Sequence, residues 1–96
     1  MIKDDKLVDT DFNLYIGKRL KKYRLEHNLS LLALAKKLNN KISRQTLFHY
    51  ENGDTKIRRN IFIDICNVYN ITPDDFINEV LKDYINSKGG DKKWKK

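Results

Sequence analysis

Ninety-six residues make one domain, with no room for a second hydrophobic core. The chain is 40% hydrophobic and 34% charged with a net charge of +7, which excludes a disordered or fibrous class and suits a small globule. No apolar run approaches the roughly 20 residues of a membrane span, and Met1-Ile2-Lys3-Asp4-Asp5 holds no apolar signal core, so a cytoplasmic location is expected.

The pattern is helical throughout, with no alternating run bounded by turn signals. The expected fold class is all-α, a compact five-helix bundle. A first helix is predicted from about Asp11, because Asp9, Thr10 and Asp11 are capping types. Phe12, Ile16, Leu20 and Tyr23 recur on its inner face, and His27-Asn28 ends it. Ser30 caps a second helix with Leu31, Leu34, Ala35 and Leu38 as its buried stripe. Asn39-Asn40-Lys41 is a turn. Ser43 caps a third helix that stops at Asn52-Gly53. A fourth, from about Asn60 to Tyr69, is expected to bury Phe62, Ile65, Cys66 and Tyr69. Thr72-Pro73-Asp74-Asp75 then combines a cap, a proline at the first helical position and acids in the first turn. The fifth helix runs to about Asn86. Residues 1–10 are expected to be a flexible arm, residues 11–86 the domain, and residues 87–96 a basic disordered tail.

The charge is unevenly placed. Residues 12–60 carry twelve basic and three acidic side chains, whereas residues 61–87 carry one Lys and five acids. A basic segment beside an acidic one reads either as a face for a polyanion or as a solvated, Lys-rich surface. Ten Asn and ten Ile against two Ala also hint at an AT-rich genome.

The third helix adds a more specific signal. At 100° per residue, Ser43, Thr46, Leu47 and Tyr50 share one face, next to Ile42. The opposite face holds Arg44, Gln45, Phe48, His49 and Asn52. A structural helix would normally expose Lys and Glu there. Arg and Gln instead present forks that pair with guanine and adenine edges. No acid occurs in this helix before Glu51.

With two short helices joined by a turn inside the basic segment, Leu29-Ser30 through Gly53 resembles the lambda repressor and Cro family, the XRE-type helix-turn-helix. The resemblance rests on Leu34-Ala35-Lys36-Lys37-Leu38, Ile42-Ser43-Arg44-Gln45-Thr46-Leu47 and Tyr50-Glu51-Asn52-Gly53. It extends over Ile16-Gly17-Lys18-Arg19-Leu20, Arg24 and Ile71-Thr72-Pro73-Asp74-Asp75-Phe76, so it covers residues 12–80. It implies a prokaryotic or phage five-helix domain that binds operator DNA, usually as a homodimer.

Position by position, the resemblance implies that Arg44, Gln45 and His49 read bases. Asn52 corresponds to a phosphate contact, and Lys56, Arg58 and Arg59 to a loop that reaches the backbone or minor groove; Ser43, Thr46 and Lys41 are expected to meet phosphate or the minor groove beside them. Arg24 and Glu51 match an ion pair tying helix 1 to the end of the recognition helix. Two features depart from the family pattern. Leu31-Leu32 stands where helix 2 commonly opens with a polar residue, and the turn at Asn39-Asn40-Lys41-Ile42 is two residues longer than usual. Leu32 has no place in the domain's own core and fits a protein interface.

Several residues carry two readings. His49 is assigned to base or phosphate contact over metal, and His27 to free carbonyls at a helix end. Phe48 touches either a thymine methyl or the longer turn. Cys66 is a core side chain, and as the sole cysteine it forms no internal disulfide. On helix 5, Phe76 and Val80 suffice to close the core, which leaves Ile77, Leu81, Tyr84 and Ile85 for a dimer interface. Trp94 among Lys92, Lys93, Lys95 and Lys96 either meets nucleic acid or is solvated.

The expected function is a sequence-specific double-stranded DNA-binding transcriptional regulator, a repressor acting on a palindromic operator as a homodimer. The alternative is a protein-interaction module, antitoxin-like or the partner of a regulator, with secondary DNA binding. No enzyme activity, small-molecule substrate, cofactor or metal is expected, because no nucleophile, base and acid cluster and no phosphate-cradling glycine loop occurs.

Overall fold

Helix periodicity and end signals divide the chain into α1 (Ile2–Glu26), α2 (Leu31–Lys37), α3 (Arg44–Asn52), α4 (Arg59–Val68) and α5 (Pro73–Ser87). The structure is a computed structural model that describes the backbone of residues 2–87 and the side chains of residues 12–87. The tail from Lys88, with Trp94, lies outside the described residues. Among the described residues there are five helices and no strand, the expected all-α class. None of these helices is long and apolar enough to cross a membrane.

The helix starts follow the capping chemistry. Ser30 Oγ accepts from the Ala33 amide at 3.0 Å, Ser43 Oγ from Thr46 at 3.1 Å and Thr72 Oγ1 from Asp75 at 3.1 Å. α4 starts without such a bond, since Arg58 stands at its cap. α1 begins at Ile2 rather than near Asp11, because no proline or glycine interrupts residues 2–11 and cap-type side chains alone do not stop a helix.

The ends of α1 to α4 share one device. Asn28, Asn39, Asn40, Gly53 and Asn70 all take positive φ, between 57° and 78°. Asparagine and glycine tolerate this left-handed region best. Each reversal lets the amide of Leu29, Asn40, Asp54 or Ile71 donate to the carbonyl five residues back, at 2.9–3.0 Å. Part of the asparagine excess is therefore structural.

The core joins all five helices. It contains Ile16 and Leu20 of α1, Leu34 and Ala35 of α2, Leu47 and Tyr50 of α3, Ile61, Ile65 and Cys66 of α4, and Phe76 and Val80 of α5. α1 packs on α3 and α5, α2 on α3, and α4 on α5. Burying each large aliphatic side chain contributes about 1.5–3 kcal/mol. On α4, Ile65, Cys66 and the following Tyr69 line the core as expected, and Ile61 joins them. Phe62 is only half-buried, edge-on to Phe76 at 5.2 Å. Cys66 is fully buried, and desolvation pushes its thiol up to about 11, which fits a packing residue.

The long turn between α2 and α3 is anchored at both ends, since Leu38 and Ile42 are buried. Between them, Lys41 Nζ reaches Asp64 of α4 at 3.0 Å.

Candidate nucleic-acid interface

α3 is built as a helix with one anchored and one open face. Leu47, Tyr50 and Glu51 are buried, while Arg44, Gln45, Phe48, His49 and Asn52 are exposed. No acid lies in its first turn. Three of those exposed side chains, Arg44, Gln45 and Asn52, carry hydrogen-bonding forks of the kind that match base edges or phosphates.

The anchored face is fixed by two contacts. Gly17 of α1 lies against the end of α3 so closely that a Cβ there would sit 2.4 Å from the Glu51 carbonyl oxygen and 2.5 Å from that of Tyr50. Two turns further along α1, Arg24 grips the Glu51 carboxylate with both arms, Nε at 2.7 Å and Nη2 at 2.9 Å. Arg24 Nη1 also donates to the Leu29 carbonyl at 2.9 Å, tying in the α1–α2 connection. Both partners are buried, at 9% and 7% exposure. The Glu51 hydrogen bond is the main reason the guanidinium pKa is raised, against the desolvation that opposes it.

Tyr69 stacks on Tyr23 with ring centroids 5.5 Å apart, and its buried hydroxyl has no hydrogen-bond partner among the described residues. Burial first, and then the Glu51 carboxylate, push that phenol upward, while Arg24 opposes the shift. His27 rests its ring 4.9 Å from Tyr69, with Nδ1 2.8 Å from the Tyr23 carbonyl.

The remaining positions scatter around α3. Ser43 is its cap, with Oγ also 3.1 Å from Thr46 Oγ1, so these two hydroxyls already serve each other. Lys41 sits in the turn, engaged by Asp64. Lys56 is exposed in the loop after α3, and Arg58 and Arg59 are exposed at the start of α4. Leu32 and Phe48 are half-exposed, and Phe48 meets His49 edge-on at 5.6 Å.

Besides Lys41–Asp64, sequence reasoning missed two further ion pairs. His49 Nδ1 lies 3.1 Å from Asp54 Oδ2. Arg19 reaches Asp83 with Nε at 3.0 Å and Nη2 at 2.8 Å. The first was detectable as an acid just past a glycine helix end. The second joins residues 64 apart in the chain, and no local pattern announces it.

On α5, Leu81 and Ile85 are exposed at 40% and 43%. Ile77 and Tyr84 are partly used within the chain. Ile77 packs half-buried on the core, and Tyr84 meets Phe12 and Tyr15 edge-on at 6.4 and 5.6 Å.

The profile of the family described as helix-turn-helix matches residues 20–76, more than half of the chain. The chain belongs to the helix-turn-helix family of Cro/C1 (XRE) type. Two solved structures of the clp gene regulator ClgR from Corynebacterium glutamicum resemble this helix-turn-helix protein. One is 16% identical with a TM-score of 0.75, covering 82% of each chain. The other is 18% identical with a TM-score of 0.66, covering 74% of this chain and 88% of its own. At such identity they speak for the fold. No curated protein matches the sequence. The family assignment makes this helix-turn-helix protein a DNA-binding regulator of transcription.

Proposed function

We propose that the protein is a sequence-specific repressor that binds a palindromic operator as a homodimer. Each copy lays α3 in a major groove, with half-sites about 34–36 Å apart. Arg44, Gln45 and His49 read base edges. Asn52, Lys56, Arg58 and Arg59 contact phosphates or the minor groove and supply affinity that falls steeply with salt. Ser43, Thr46 and Lys41 flank the same face at its N-terminal end. Occupying a promoter excludes polymerase.

The observation that carries this reading is the asymmetry of α3. Its inner face is immobilised by Gly17 and Arg24, and its outer face exposes Arg44 and Gln45, with His49 beside them held by Asp54. The likeness to a clp gene regulator supports regulation of genes rather than DNA packaging. Leu81 and Ile85, exposed on α5, support self-association, and Leu32 supports a further protein contact as the second reading.

The test is selection from a random duplex library at about 150 mM salt, where non-specific phosphate attraction is screened. Enrichment of an inverted repeat is expected. A folded protein that enriches no sequence, together with a partner protein that co-purifies stoichiometrically, would favour the interaction module instead.

A further inference from the structure

We propose that Asp54 is a specificity-determining residue that acts through His49, fixing which ring nitrogen carries the proton and so which bases His49 accepts. The inference rests on the base-reading role proposed above for His49.

The geometry holds the pair at two points. Gly53 takes φ 78°, and this reversal lets the Asp54 amide donate to the His49 carbonyl at 3.0 Å. The same reversal sets Asp54 Oδ2 3.1 Å from His49 Nδ1. Gly53 is itself pressed against α1, since a Cβ there would meet Leu14 Cα at 2.8 Å, so the reversal has little freedom. Phe48 flanks the ring edge-on at 5.6 Å.

An ionised carboxylate only accepts hydrogen bonds, so Nδ1 must be the nitrogen that carries hydrogen. In the neutral ring Nε2 is then a bare acceptor, and it has no partner among the described residues. In the major groove the hydrogen-bond donors are adenine N6 and cytosine N4, whereas guanine N7 and O6, adenine N7 and thymine O4 accept. A His49 oriented by Asp54 therefore selects adenine or cytosine at the position it meets. Without Asp54 the ring relaxes towards the Nε2–H form that an unconstrained histidine side chain prefers, and it donates to guanine, thymine or adenine N7 instead, so the advantage of adenine and cytosine is lost. Asp54 is thus a positioning residue, and its loss changes the base preferred rather than the affinity for phosphate.

Two measurements on the full chain test this at pH 8, comparing the wild type with Asp54→Ala and Asp54→Asn. The first is the His49 tautomer, read from 15N shifts without DNA. Nδ1–H is expected in the wild type, Nε2–H in Asp54→Ala, and partial restoration in Asp54→Asn, whose carbonyl still accepts. The second is duplex selection, in which the base relaxed by His49→Ala marks the position concerned. At that position the preference for adenine or cytosine should fall by about fivefold in Asp54→Ala, the weight of one net hydrogen bond. The same tautomer in wild type and Asp54→Ala overturns the proposal, as does a wild-type motif that Asp54→Ala leaves unchanged. A wild type that enriches no motif overturns the base-reading assignment itself, and the role of Asp54 with it.

Discussion

Gly17 and Glu51 set the distance between α1 and α3. A methyl group on Gly17 would lie 2.4 Å from the Glu51 carbonyl oxygen, inside any permitted contact with backbone. Gly17→Ala gains about 1 kcal/mol of helix propensity in α1. Separating two helices typically costs about 1–3 kcal/mol, and here the obstacle is rigid backbone, so the loss exceeds the gain. The variant should unfold at lower urea than the wild type, with an unchanged slope. Equal or greater stability would show that α1 and α3 are not in this register.

Arg24 and Glu51 are worth more as a pair than singly. Arg24→Ala or Glu51→Ala leaves a buried charge alone and should cost about 3–5 kcal/mol, a large part of a small domain's stability. Replacing both, Arg24→Met with Glu51→Leu, should recover much of that loss in urea titrations. A double variant as unstable as the sum of the single losses would mean that Arg24 acts mainly through the Leu29 carbonyl.

Stability should fall on the alkaline side. Burial raises Cys66 from 9.0 to about 11, and burial with the Glu79 hydrogen bond raises Tyr23 from 10.0 to about 12. Tyr69 moves in the same direction. Each group holds its proton more tightly in the folded state than in the unfolded one. Their contribution is whole below pH 9 and is lost as pH climbs from 9 towards 12. Denaturant midpoints should be flat to about pH 9 and then decline, and Cys66→Ala should delay the onset. Midpoints that rise above pH 9 would reverse the sign and refute the burial of these groups.

Self-association and folding should separate on α5. Ile85→Glu places a charge on a half-exposed position and should yield a folded monomer by sedimentation, if Leu81 and Ile85 form the proposed dimer contact. Tyr84→Ala should lower thermal stability as well, because Tyr84 meets Phe12 and Tyr15 within the chain. An Ile85→Glu protein with unchanged mass in solution places the contact elsewhere.

What could be read in the sequence was what local chemistry controls. Ser30, Ser43 and Thr72 announce three helix starts because a hydroxyl reaching an amide three residues on is a local event. The open face of α3 follows from angular spacing alone. Ile61 was hidden because it and Phe62 lie four residues before Ile65 and Cys66, so spacing alone does not tell which of the two packs fully and which flanks. The Lys41–Asp64, Arg19–Asp83 and His49–Asp54 pairs depend on how helices and turns dock, which charge counting does not reveal. Lys41 shows the consequence, since a lysine read as a phosphate contact is engaged by α4 in the structure.

The central claim is that α3 reads bases, and the most direct measurement compares one enriched duplex with a random duplex for the wild type, Arg44→Ala, Gln45→Ala and Lys56→Ala. The account predicts that Arg44→Ala and Gln45→Ala each lose about 1–3 kcal/mol on the enriched site and little on random DNA, while Lys56→Ala weakens both alike. Equal losses on the two duplexes for Arg44→Ala and Gln45→Ala would contradict it, leaving α3 as a phosphate-binding helix that carries no sequence information.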